Sequence, residues 1–256
     1  MTPIRSLIAV AALVLTPALA PAQTASPMLG PDLAGLGCPE GPVRIAVLGD
    51  SLADGLWGSF FRAFAPCANV EVLRRSTVSD GLAQTDADGW LARLADDGPL
   101  DLVVVQVGAN DITNIREGTT RHVWGGDTWA DAYSTRAADL AAGLKDIGTD
   151  VIWMGLPIVG QDRFEDSYRT ITALQADAVT AAGVRFVDTH EPTTFGQGAF
   201  VMSAEVDGAL RQIRVTDQVH FTETGYDLVA GLLRGDVERL FADRGRAVAI
   251  DALQLQ

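Results

Sequence analysis

Short, nearly uninterrupted apolar runs alternate along this chain with longer stretches whose apolar residues return every three or four positions. The short runs are Val43 to Leu48, Val70 to Leu73, Leu102 to Val107, Val151 to Met154 and Val184 to Val187. Each has strand length, and the third is almost purely aliphatic, as expected for a strand covered on both faces. After the first run, Leu52, Leu56, Phe60 and Phe64 recur every four residues and line up one apolar face of a helix. Residues 128–144, 164–182 and 222–241 carry similar helical patterns. Gly148 and Asp150 punctuate the end of the first of these, and Thr222 is placed to cap the last, with Glu223 in its first turn.

Strands that alternate with helices predict an α/β fold with a doubly wound parallel sheet. The expected architecture is a flavodoxin-like three-layer sandwich around a five-stranded sheet of order 2-1-3-4-5. In such sheets ligands sit outside the carboxyl ends of the strands, near the topological switch point, and Ser51 follows the first strand there. The alternation breaks between Pro192 and Thr216, where Phe200 to Val206 and Leu210 to Val215 flank Asp207-Gly208. An Asp-Gly pair between such runs predicts a hairpin, inserted within residues 198–216.

The first residues change the picture of where the chain works. Arg5 precedes a nearly all-apolar run from Leu7 to Leu19, and Ala20-Pro21-Ala22 supplies small residues, so residues 1–22 are expected to be a secretory signal cleaved after Ala22. The run is shorter than the ~20 residues that span a bilayer, and no later stretch is long and apolar enough, so no stable membrane insertion is expected once the signal is removed. Residues 23–42, rich in Pro, Gly and small side chains, are expected to form a loose leader outside the main fold. Residues 43–256 then make one domain, large enough for a substantial core. The formal net charge of −14 disfavours nucleic acid and anionic lipid as partners. In an exported chain the two cysteines, Cys38 and Cys67, are expected to pair as a disulfide that pins the leader to the domain. Two cysteines and three scattered histidines offer no ligand cluster, so no metal is expected.

Chemistry enters at four places. Ser51 stands in Gly49-Asp50-Ser51-Leu52, at a strand-to-helix join that exposes a hydroxyl and directs backbone N–H groups at whatever binds there. By itself a serine there is as readily a helix cap. Far downstream, Asp217-Gln218-Val219-His220 sets a carboxylate three residues before an imidazole. In a turn the two lie on one side, so Asp217 can orient His220 while the other ring nitrogen faces Ser51. His122, in a polar connector, and His190, after the fifth strand, are expected to be structural or surface groups. Gly108-Ala109-Asn110-Asp111 closes the third strand, where the Asn110 amide can donate to a developing oxyanion or merely form a turn. Gly81 follows the second strand and can add a backbone donor, or be there for its backbone freedom.

These four blocks, in this order, resemble the SGNH hydrolase superfamily, also called the GDSL esterases. The resemblance covers roughly residues 43 to 240. It implies Ser51 as nucleophile, His220 as general base and acid, and Asp217 as orienting carboxylate. It also implies an oxyanion hole formed by Asn110 and the backbone N–H groups of Ser51 and Gly81. One departure stands out: Val78-Ser79-Asp80-Gly81 lacks the Asn often found before the glycine. Trp-Met-Gly-Leu-Pro at 153–157 and Thr-Asp-Gln-Val-His-Phe-Thr at 216–222 look like an exported bacterial branch of that superfamily. An α/β-hydrolase is set aside, since its Gly-x-Ser-x-Gly would need a glycine where Ala53 stands.

The expected activity is a periplasmic or secreted serine esterase acting on short acyl esters, with no cofactor. Its expected partner is an acyl-ester or acetylated glycan substrate: envelope polysaccharide, peptidoglycan or small diffusing esters. The same site would serve an O-acyltransferase if an acceptor sugar replaced water, and a silent glycan-binding protein of this fold is the alternative outside enzymology. Trp124 and Trp129 form a sugar-stacking wall or simply pack the connector. Arg74-Arg75 meet an anionic group or make surface salt bridges. Nothing in the sequence sets an oligomeric state.

Overall fold

The computed structural model describes residues 32–254, with side chains as far as Gly245. The expected signal peptide and the first part of the leader lie outside the described residues. Five parallel strands form the central sheet: β1 (Val43–Gly49), β2 (Val70–Ser76), β3 (Leu102–Gln106), β6 (Asp150–Met154) and β7 (Arg185–Val187). Their order is β2-β1-β3-β6-β7, the expected doubly wound arrangement. Alternate residues of each strand enter different cores. Ala46, Leu48, Val103 and Val105 pack on one face, and Ile45, Val47, Val104 and Ile152 on the other. Burial on both faces is why these strands read as continuous apolar runs.

The first face is covered by α3 (Asp127–Asp146) and α4 (Asp162–Ala181), with the short α2 (Ala87–Leu91) at its edge. The second is covered by α1 (Ser51–Phe64), α5 (Glu223–Gly231) and α6 (Arg234–Gln254). One helix was expected over 222–241, and the chain makes two. Leu232 and Leu233 donate back three residues, to Val229 and Ala230, so the helix tightens and restarts. The break lets Val229, Leu233, Val237 and Phe241 all reach the same core.

Two small hairpins sit outside the sheet. The first, β4 (Ile115–Glu117) with β5 (Thr120–His122), occupies the connector that the sequence showed only as polar and Gly-rich. The second, β8 (Ser203–Val206) with β9 (Ala209–Gln212), is the expected insertion. Its turn residues Asp207 and Gly208 have φ of 51° and 74°, the two left-handed positions that a tight hairpin requires.

The leader expected at 23–42 is, over its described part, packed against the domain rather than loose. Leu33, in a 3-10 helix (Leu33–Leu36), is 1% exposed in the core that α1 and α6 share. Cys38 and Cys67 are joined by a disulfide, and the Asn69 amide donates to Pro39 O and Gly41 O. Pro, Gly and small residues set the linker-like composition, and one buried leucine with one cross-link outweighs it.

Strand register then fixes the site. Gly49 lies level with Ser76 on one side and Gln106 on the other. The residues after β1, β2 and β3 therefore emerge side by side at one edge of the sheet.

Candidate active site

Gly49 leaves β1 with φ 145°, and a Cβ there would lie 1.9 Å from Gln106 O, so only glycine permits this exit. Asp50 comes next, fully buried. One of its oxygens accepts from Leu52 N at 2.8 Å and caps α1. The other accepts from Gly108 N and Ala109 N, both at 2.9 Å. Burial pushes this carboxyl up to about 7, against the pull of those three N–H groups. Because Asp50 is the cap, Ser51 is free of that duty. Its Oγ lies 2.7 Å from His220 Nε2. Its N–H belongs to the first turn of α1, where backbone donors have no intrahelical partner.

His220 and Asp217 stand on a tight turn between β9 and α5. Asp217 Oδ1 accepts from Val219 N at 2.9 Å and His220 N at 3.0 Å, while Oδ2 lies 2.7 Å from His220 Nδ1. A proton on Nδ1 satisfies that carboxylate and leaves Nε2 to accept from the Ser51 hydroxyl. Burial raises the Asp217 carboxyl, but the bonds from Val219, the His220 ring and His220 N outweigh it and hold it below the usual range. Gln218 pays for the turn with φ 63°, and Gly160 N and the Gln161 amide brace it through Gln218 O and Asp217 O. Arg214 lies beneath, fully buried, donating to Val219 O and Ile158 O at 2.7 Å each and stacking on Phe221. Desolvation lowers its guanidinium to about 9.

Asn110 and Gly81 meet at Asp80. Asn110 Nδ2 donates one N–H to Asp80 O at 3.0 Å, which leaves the second amide proton. The Gly81 N–H donates to Asp80 Oδ1 at 2.8 Å, and Thr85 and Arg93 hold that carboxylate in place. A Cβ on Gly81 would lie 2.0 Å from Asp111 Oδ1, so the glycine also serves a close approach. Asp111 accepts from Leu82 N, Ala83 N and the Tyr133 hydroxyl, and burial pushes it up to about 6.

Thus hydrogen bonds join Ser51, His220 and Asp217 beyond the carboxyl end of β1, while Asn110 and Gly81 meet each other at Asp80, in the loops that follow β3 and β2. Asp50, Asp111, Gln161 and Arg214 also hold the site, although the sequence reading assigns them no such role. Asp50 and Asp111 directly adjoin Ser51 and Asn110, and that adjacency was the available signal. Arg214 and Gln161 gave none. The other candidates resolve structurally. Trp129 is buried against Tyr133 with its N–H on Thr113 O, and Trp124 packs edge-on against it. Arg74 pairs with Asp54 and Arg75 with Asp97. His190 Nε2 meets Glu165 at 2.5 Å, and His122 lies 3.4 Å from Glu117. Among the described residues no group of three or more His, Cys, Asp or Glu side chains is placed to hold a metal ion.

Solved structures share this fold at low identity. A GDSL-like lipase from Bacteroides thetaiotaomicron is 20% identical, over 77% of this chain and 88% of its own, with a TM-score of 0.51. An acetyl xylan esterase from Geobacillus stearothermophilus is 16% identical, over 76% and 94%, with a TM-score of 0.51. A candidate SGNH hydrolase from Slackia heliotrinireducens is 19% identical, over 76% and 98%, also at 0.51. The fold is therefore that of the SGNH hydrolases. No curated protein sequence matches the chain. A family model described as "Protein of unknown function (DUF459)" matches residues 44–235, and the chain belongs to that family.

Proposed function

We propose that the protein is an exported serine esterase that cleaves short acyl esters, acetyl esters foremost, through Ser51, His220 and Asp217. The observation that carries this reading is the unbroken chain from Ser51 Oγ through the His220 ring to Asp217, at 2.7 Å for each contact. His220 Nε2 takes the Ser51 proton as Oγ attacks the ester carbonyl. The carbonyl oxygen becomes an oxyanion facing the Asn110 amide and the Ser51 N–H, with Gly81 joining if its N–H turns from Asp80. His220 then protonates the departing alcohol, and the acyl group stays on Ser51. Water, deprotonated by the same nitrogen, releases the acid and restores the serine. Asp217 keeps Nδ1 protonated and stabilises the imidazolium formed at each step.

Export rests on the expected signal at residues 1–22, with the Cys38–Cys67 disulfide in support, because such bonds persist in oxidising compartments. No helix among the described residues is long and apolar enough to cross a membrane. The preference for acetyl is suggested by the acetyl xylan esterase of like fold. The domain would then begin at or before Leu33, with cleavage after Ala22.

The reading is tested on acetyl, butyryl and longer-chain 4-nitrophenyl esters and acetylated glycans, with Ser51→Ala as control. Turnover that falls with chain length and vanishes in Ser51→Ala is expected. Equal rates in the two proteins would overturn it. Ester transfer to an added sugar in place of hydrolysis would make the same residues an acyltransferase.

A further inference from the structure

Arg163 stands apart among the charged groups near the site. It is exposed at the start of α4, yet it forms no ion pair among the described residues of a chain whose net charge is −14. Nearby Glu165 is already committed to Val159 N, His190 and Arg169. A cation in the first turn of a helix also opposes the helix dipole, so its position does not serve α4. The side chain is nevertheless held. Its Nε donates to Gln161 Oε1 at 3.2 Å, and its guanidinium lies 4.3 Å from the centre of the Phe164 ring. Both terminal nitrogens remain without a hydrogen bond among the described residues. A guanidinium fixed by one edge and one face presents its remaining fork with little entropy left to lose.

Its place relative to the chemistry is set by a short relay. Gln161 Nε2 donates to Asp217 O at 2.6 Å, and Asp217 holds the His220 ring. Arg163 is therefore tied to the His220 side of the site through Gln161 and Asp217 O. In ester cleavage the alcohol leaves on the side of the group that protonates it, while the oxyanion turns towards the opposite donors. We infer that Arg163 binds a carboxylate carried by the alcohol part of the substrate, so that the ester cleaved is an acetylated acidic sugar. This inference rests on the esterase reading given above. A carboxylate suits the fork bidentately, and its single charge meets less of the protein's acidic field than a phosphate would.

The test compares acetylated oligogalacturonate with acetylated xylo-oligosaccharide in the full protein, in Arg163→Gln and in Arg116→Gln/Arg121→Gln. Arg116 and Arg121 face each other across the β4–β5 pairing, exposed and outside any ion pair among the described residues, so that double variant removes positive charge elsewhere. In Arg163→Gln, kcat/KM should fall about tenfold more on the acidic substrate than on the neutral one, mainly through KM. The double variant should keep the wild-type ratio. An unchanged ratio in Arg163→Gln, or an equal change in the double variant, would overturn the assignment. Calorimetry with unacetylated oligogalacturonate and Ser51→Ala separates this from the esterase reading. Binding that weakens about tenfold when Arg163→Gln is added supports the site even if no ester is cleaved. No binding to Ser51→Ala overturns it. A dependence on Arg163 seen with an acetylated sugar phosphate and not with the uronate would overturn the choice of carboxylate.

Discussion

Two histidine–carboxylate pairs lie on either side of one loop, and they differ in what the imidazole has left to offer. In the first, Asp217 holds His220 by Nδ1, and Nε2 points at Ser51 Oγ. In the second, Glu165 takes Nε2 of His190 and also receives Val159 N and Arg169. The first pair is the more open, with side chains 33% and 47% exposed against 14% and 19%. Residues 158–160 connect them: Val159 is held by Glu165, while Ile158 O and Gly160 N brace the Asp217–His220 turn through Arg214 and Gln218. A short histidine–carboxylate contact is thus no mark of chemistry by itself. What the other ring nitrogen meets decides: Nε2 of His220 meets Ser51 Oγ, and the second pair reads as scaffolding for the first.

The sharpest way to break this contrast is to remove each imidazole. His220→Ala should lower kcat on 4-nitrophenyl acetate by about 10⁴-fold or more, as loss of a triad member does elsewhere, whereas His190→Ala should stay within about tenfold. Similar losses in both would erase the distinction. Next come the carboxylates. Asp217→Asn should cost about 10³- to 10⁴-fold in kcat, because the His220 tautomer is no longer enforced, while Glu165→Gln should cost less than about tenfold. Stability should reverse the ranking. In urea unfolding, Glu165→Ala should lose about 1–3 kcal/mol by stranding Val159 N and His190, and Asp217→Asn less than about 1 kcal/mol.

The smallest expected effect is in pH. Hydrogen bonds hold Glu165 and Asp217 below their ordinary values of 4.5 and 3.8, so their folded forms bind protons more weakly than the unfolded chain. Each contribution is therefore complete above the ordinary value and lost as pH falls through the lower folded one. The gap in melting temperature between wild type and Glu165→Gln should be constant above pH 4.5 and close below it. Asp50 and Asp111, raised to about 7 and about 6, act with the opposite sign. Their contribution is full below 3.8 and is lost as pH rises to about 7, so these two groups lower wild-type stability across that acid-to-neutral window and add no slope above it.

Much of the sheet was legible because its strands are buried on both faces. Leu102 to Val107 can hardly be anything else, and β1 ends within one residue of its expected limit. The hairpin at Asp207-Gly208 was legible because left-handed turn positions select their residues. Ser51, Asn110, Asp217 and His220 stand in recognisable blocks; register sets the ends of β1 and β3 side by side, and the braces from Gly160, Gln161 and Arg214 hold the Asp217–His220 turn. What stayed hidden depends on tertiary burial. Asp50, Asp111 and Arg214 look like surface residues until the fold encloses them. The β4–β5 hairpin is too short, and too polar on its outer face, to leave a period. The break at Leu232 leaves the helical pattern intact on both sides, so spacing alone could not reveal it. The sequence marks Gly81 as a donor but not the Asp80 carboxylate that takes its N–H, because that contact depends on how the loop turns back on itself.

The most direct measurement of the central claim is covalent labelling by a fluorophosphonate probe, read by mass spectrometry of the labelled peptide. The account predicts one label, on Ser51, formed at an undiminished rate in His190→Ala and nearly abolished in His220→Ala. Labelling of Ser51 at equal rates in all three proteins, or none in folded wild type, would contradict it.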